Sequence, residues 1–215
     1  VPNDGPVVLL NTTTFNATVY DPAKNVVVKF FASWCLVCRS IKEPFEQLAD
    51  IFARETDLVL AEIDCAQFAN APVCRDRFDI KRYPTIVFFP KNNKAGKDFV
   101  GEHEQVAYVN GINRAFGYFR QDNGKLNPRA GHSKKLDRLA RGFLEADADE
   151  QQRRIDKAKT LPQGERFAAV MEEVRAHGAE WAASEHARLD AAAHSCRRAE
   201  CDDVILRRNI LKQFV

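Results

Sequence analysis

"FASWCLVCRS", residues 31–40, sets Cys35 and Cys38 two residues apart at the end of "NVVVKFF" (25–31), a run of β-branched and aromatic residues that reads as a buried central strand. The next stretch, "SIKEPFEQLADIFARE" (40–55), places Ile41, Phe45, Leu48, Ala49 and Phe52 at helical spacing. The cysteine pair therefore lies where a strand gives way to a helix. There the helix dipole and free backbone N–H groups stabilise a thiolate on Cys35, and only a thiolate attacks a disulfide. Cys38, one turn later, is placed to close a ring with Cys35 and release a trapped mixed disulfide. A zinc clamp would need a second Cys or His pair nearby, and Cys65 and Cys74 have the wrong mutual spacing, so no metal is expected. Two inert core thiols are the weaker alternative to redox chemistry.

Outward from this point the first half alternates strands and helices. "PVVLL" (6–10) and "LVLAEID" (58–64) read as strands. "TIVFFP" (85–90) and "KDFVGE" (97–102), joined by the polar turn "KNNKAG", read as an antiparallel hairpin. "EQVAYVNGINRAFGYF" (104–119) closes the unit as a helix. The order is β-α-β-α-β, a helical connector, then β-β-α, which predicts a mixed central sheet flanked by helices over residues 1–120. "RQDNGKLNPRAGH" (120–132) carries no periodic pattern, so residues 121–132 are assigned as a linker. Residues 133–215 read as all-helical: Leu136, Leu139, Phe143 and Leu144 mark one amphipathic helix. Phe167, Val170, Met171 and Val174 mark a second that breaks or kinks at His177-Gly178, and Ile205, Leu206, Ile210 and Phe214 mark a last one. A small helical bundle is expected there.

The bulk properties narrow the function. The chain has 215 residues, 45% hydrophobic and 29% charged, with a net charge of +2 spread along its length. No basic block exists to neutralise a row of phosphates, so nucleic acid is not an expected partner. No apolar stretch approaches the roughly 20 residues that span a bilayer. The chain begins at Val1 without a signal-peptide pattern, compatible with a leader already removed. Six cysteines fall as three close pairs, which favours an oxidising compartment. "CRRAEC" brackets a polar turn between helices, so Cys196 and Cys201 are candidates for a local disulfide. Asn11 and Asn16 head glycosylation sequons and are candidate acceptors.

"FASWCLVC" followed by "YPTIVFF" (83–89) resembles the thioredoxin fold of the protein disulfide isomerases. The resemblance implies an α/β thioredoxin fold, with Cys35 as nucleophile and Cys38 as resolving thiol. It implies a cis bond before Pro84, and a substrate chain bound by Tyr83 and Pro84 beside Trp34, Leu36 and Val37. It also implies a structural disulfide between Cys65 and Cys74. "FAAVMEEVRAHGAEWAASEHARL" followed by "LRRNILKQF" is similar to the helical C-terminal domain of the Windbeutel-type endoplasmic-reticulum chaperones and D-type isomerases. Relatives of that domain form dimers, so a homodimer is among the expected assemblies. The function this implies is an enzyme, a protein disulfide isomerase in the endoplasmic-reticulum lumen. It would need no cofactor, would exchange with glutathione or partner oxidoreductases, and would act on unfolded or misfolded secretory proteins. The alternative is a redox-weak or non-catalytic chaperone or escort, in which Tyr83, Phe119 and the helical domain hold clients.

Two departures bear on the chemistry. The family usually has Gly-His between its cysteines; Leu36-Val37 supplies no comparable charge, which predicts a less oxidising disulfide. Where the family keeps a buried carboxylate six residues before the first cysteine, this chain has Lys29. Lys29 relays a proton only if burial brings its pKa into range, and otherwise favours the thiolate or snorkels to the surface. His103 is the other proton-relay candidate.

Overall fold

A computed structural model describes residues 6–197 and 201–215, and the chain divides into two compact units, Val1–Gly124 and Lys125–Val215. The first holds strands β1 (Val8–Leu10), β2 (Asn25–Phe31), β3 (Leu58–Asp64), β4 (Thr85–Phe89) and β5 (Lys97–Asp98) in one sheet of order β1-β3-β2-β4-β5. β1, β3 and β2 run parallel, and β4 runs antiparallel to both β2 and β5. Helices α1 (Phe15–Val19), α2 (Leu36–Ser40), α3 (Lys42–Ile51) and α4 (Gln105–Phe116) complete the unit.

β2 is the axis of this arrangement. Side chains alternate across a strand, so Val27 faces one way while Val26, Val28 and Phe30 face the other. Val27 packs with Phe45 and Leu48 of α3, Ile86 and Phe88 of β4, and Ile112 of α4. The opposite face packs with Phe15, Val19, Ile63, Val87 and Phe89. A run of apolar residues without alternation is what a strand covered on both sides requires.

Three boundaries differ from the sequence expectation, each for a local reason. The helix expected over 40–55 starts earlier and pauses at Ile41, because Pro44 has no N–H to give to the carbonyl four residues back, at Ser40. The second hairpin strand, expected over 97–102, pairs only at Lys97–Asp98. Phe99 still donates its N–H to the Ile86 carbonyl (2.8 Å), but its ring turns in against Phe88 and Tyr108, and pairing ends. The closing helix stops at Phe116 because Gly117 takes a left-handed conformation, φ 79°.

The second unit contains α5 (Lys134–Ala140), α6 (Ala148–Lys159), α7 (Gly164–Ser195) and α8 (Cys201–Leu211). α7 breaks its helical geometry at Gly178 (φ 82°), where the sequence places a kink. Two corrections apply. α5 ends before Phe143 and Leu144, because Gly142 turns the chain at φ 62°. α6 escaped the pattern reading: it buries only Ile155 and Ala158, and its clearest marker is Asp147, whose carboxylate caps the helix by accepting the Glu150 N–H (2.8 Å). Part of the expected 121–132 linker is packed. The buried Asn209 side chain of α8 donates to the carbonyls of Asn127 (3.0 Å) and Ala130 (3.1 Å). A polar sequence does not show that its carbonyls have a buried donor to meet.

The Cys65–Cys74 disulfide, Cα atoms 5.7 Å apart, clips the connector that follows β3 back on itself. Replacing both residues by Ser is expected to lower the unfolding free energy of the first unit by about 2–3 kcal/mol through denatured-state entropy. Urea unfolding followed by Trp34 fluorescence in a Trp181→Phe background checks this; a loss below about 1 kcal/mol would contradict it.

Candidate functional site

The parallel pairing of β2 with β3 and the antiparallel pairing with β4 bring three segments to one edge of the sheet. Phe31 at the end of β2 lies opposite Asp64 at the end of β3, and Phe30 lies opposite Thr85 at the start of β4. The 32–38 loop, the segment after Asp64 and the Tyr83-Pro84 segment therefore converge. The Asp64 carboxylate accepts the Ser33 N–H (3.2 Å), and the Cys65 N–H donates to the Phe31 carbonyl (2.7 Å). Arg39 donates to the Ser33 carbonyl (3.2 Å), closing the loop from the helix side.

Cys35 is the N-cap of α2, with extended backbone (φ −78°, ψ 117°). Its Sγ accepts the Cys38 N–H at 3.1 Å, and the two residues form a disulfide with Cα atoms 5.3 Å apart. A donor aimed at that sulfur favours charge on it once the disulfide opens. The peptide before Pro84 is cis, and the Tyr83 carbonyl oxygen lies 3.7 Å from Cys35 Sγ. Trp34 stands edge-on to Tyr83, with ring centroids 5.9 Å apart. Both cysteines are recessed: Cys35 is 7% and Cys38 5% exposed, while Trp34, Leu36 and Val37 stand clear as an apolar rim.

Beneath Cys38 is a recess of about 190 Å³ whose lining includes Lys29, Glu62, Arg39 and Lys42. Lys29 does not snorkel. It is 2% exposed, with Nζ 2.6 Å from Glu62 Oε2 and 4.6 Å from the centre of the Phe45 ring. Glu62, directly opposite Lys29 in the parallel register, is the site residue that sequence reasoning missed. The available signal was the one acidic residue inside an otherwise buried run, "LVLAEI" (58–63). His103 does not line this recess; its Nδ1 sits 2.9 Å from the Tyr108 hydroxyl.

The remaining candidates lie apart from the rim. Cys196 and Cys201 form a disulfide in the helical unit, Cα atoms 5.5 Å apart. The Asn11 carboxamide oxygen accepts from the Thr13 N–H (2.9 Å) and hydroxyl (2.6 Å), an Asx turn on the surface. Asn16 lies in α1, where its side-chain oxygen accepts from Arg77 (2.6 Å).

Residues 6–114 match the sequence model of the Thioredoxin family, and residues 131–214 match that of the C-terminal domain of the endoplasmic reticulum protein ERp29. A probable protein disulfide-isomerase A6 of Medicago sativa is 32% identical over 218 residues, covering 97% of this chain and 59% of that protein. Protein disulfide-isomerase 1 of Dictyostelium discoideum is 30% identical over 218 residues, covering 97% and 60% respectively. Protein disulfide-isomerase A4 of Rattus norvegicus is 36% identical over 92 residues, which is 43% of this chain and 14% of that protein. The chain thus spans about 59% of the Medicago relative's length.

Removing one partner of a buried ion pair leaves the other charge poorly solvated. Lys29→Met is expected to cost about 3 kcal/mol of stability, the lower end of the roughly 3–5 kcal/mol for removing one partner of a buried pair, because Glu62 keeps 20% exposure. The double variant Lys29→Met/Glu62→Gln is expected to recover at least half of that loss in urea unfolding. Additive losses would show that the pair is not coupled.

Proposed function

The chain belongs to the thioredoxin family, and from that premise we propose that it is a thiol–disulfide oxidoreductase of the disulfide-isomerase kind, acting through Cys35 and Cys38. The observation that carries this reading is the Cys35–Cys38 disulfide at a helix N-cap, with the Tyr83 carbonyl beside its outer sulfur. A client thiolate attacks Cys35 Sγ; the Cys35–Cys38 bond breaks, and Cys38 leaves as a thiolate that takes up a proton. A second client thiolate then attacks the client sulfur of the mixed disulfide. Cys35 departs as the thiolate held by the Cys38 N–H. The client loses two electrons and the enzyme gains them. In the reducing direction Cys38 must give up its proton before it displaces the client from Cys35. Glu62, in the same recess and held by Lys29, is the proposed acceptor. Tyr83, Pro84 and the rim of Trp34, Leu36 and Val37 are the proposed seat of the client chain.

No cofactor enters this scheme; glutathione or a partner oxidoreductase resets the pair. Three disulfides suit an oxidising compartment, and the match of the second domain to an endoplasmic-reticulum protein supports the reticulum lumen and secretory clients. The same resemblance is the basis for proposing a homodimer. A second reading, client holding without turnover, is favoured by the low exposure of both cysteines.

Insulin reduction and reactivation of scrambled ribonuclease separate the two readings. Catalysis predicts measurable turnover that Cys35→Ala abolishes, whereas holding predicts negligible turnover from the outset. Because Leu36 and Val37 add no positive charge beside Cys35, equilibration with glutathione is expected to give a potential more reducing than the roughly −180 mV of a Gly-His isomerase. A value at or above that figure would contradict the assignment of Leu36-Val37 as the tuning element.

A further inference from the structure

Of the fifteen phenylalanines in the chain, Phe68 alone is exposed, and it is 90% so. An aromatic ring in water is ordinarily tolerated on a loose loop, but this one is displayed from a fixed platform. Phe68 opens a short 3₁₀ turn, Phe68–Asn70, inside the loop that the Cys65–Cys74 disulfide closes. Asn70 is buried; its side chain donates to the Asp64 carbonyl (2.9 Å) and accepts the Thr12 N–H (3.2 Å). The Thr12 hydroxyl donates to the Ala69 carbonyl. Asp64 completes the frame: its carboxylate holds Ala66 N–H (3.0 Å) and the Gln67 side chain (3.2 Å) on one side, and Ser33 N–H on the other.

That last contact makes the platform continuous with the active-site rim. One carboxylate clamps the base of the loop carrying Phe68 and the residue immediately before Trp34. β2 and β3 are parallel, so both loops leave the sheet at the same edge. We infer that Phe68 is a client-docking residue, taking an apolar or aromatic side chain of the same extended, unfolded polypeptide whose sulfur exchanges at Cys35. The residues flanking Phe68 in sequence, Ala66, Gln67, Ala69 and Asn70, carry no charge, and the Asp64 carboxylate that frames the loop is engaged by three N–H donors. The inference rests on the oxidoreductase reading and extends it from the exchanging sulfur to the choice of client: segments with an aromatic near the cysteine are preferred.

The test uses glutathionylated peptides of one cysteine each, in a series that moves a single Phe stepwise along the chain away from the cysteine, with Ser-substituted controls. The full chain, reduced and resupplied with glutathione, is expected to show a kcat/KM about five- to tenfold higher for the best-placed Phe peptide than for its Ser control, the scale of one interface aromatic. Phe68→Ser should bring that ratio close to one, and Phe68→Leu should retain part of it. Both peptides report on the same cysteine pair, so a general loss of activity cancels from the ratio. A full preference persisting in Phe68→Ser, or no preference in the unmodified chain, would overturn the docking role and leave the oxidoreductase reading standing. Failure of the unmodified chain to exchange with any peptide would overturn both.

Discussion

Strand β2 is paired on both edges and covered on both faces, and the place where it ends dictates the geometry of the site. Parallel register with β3 puts Asp64 beside the start of the 32–38 loop, and antiparallel register with β4 puts Tyr83 and Pro84 there as well. A shift of one residue in the β2–β3 pairing would take the buried Lys29 out of register with Glu62 and turn it to the opposite face without its partner, so the ion pair helps to fix the register. The cysteine pair is thus positioned by strand pairing, and the partners of the Cys35 sulfur are backbone groups: the Cys38 N–H and the Tyr83 carbonyl.

The Lys29–Glu62 pair introduces charge into that core. A lysine with 2% exposure is affordable only because Glu62 lies 2.6 Å away and the faces of Phe45 and Phe31 are turned toward the ammonium. The pair puts a carboxylate within the recess that Cys38 lines, though on β3 instead of β2. Lys29 and Glu62 meet only through the β2–β3 pairing, so the charges that line the recess beside Cys38 depend on an interstrand contact.

Much of this was readable in the residues. The strand-to-helix position of Cys35, the alternation of elements in the first half and the break at Gly178 follow from period, branching and glycine placement, which are local properties. What stayed hidden is what depends on register or on backbone partners. Glu62 becomes a site residue only once β2 and β3 are aligned residue by residue. α6, with its charged sequence, has almost no apolar stripe to show, and the 127–130 segment is polar yet packed by Asn209. Phe68 is silent in the sequence for a related reason: an aromatic in a connector gives no hint of whether its ring faces the core or the solvent.

The proposed chemistry requires the N-cap position of Cys35 to hold its sulfur as an anion when the disulfide opens. The direct measurement is the pH dependence of Cys35 alkylation by iodoacetamide in the reduced protein, read by mass spectrometry of the Cys35 peptide. The account predicts an apparent pKa well below the roughly 8.5 of a free cysteine. A value at or above 8.5 would mean that the recess suppresses the thiolate and that the site does not work as described.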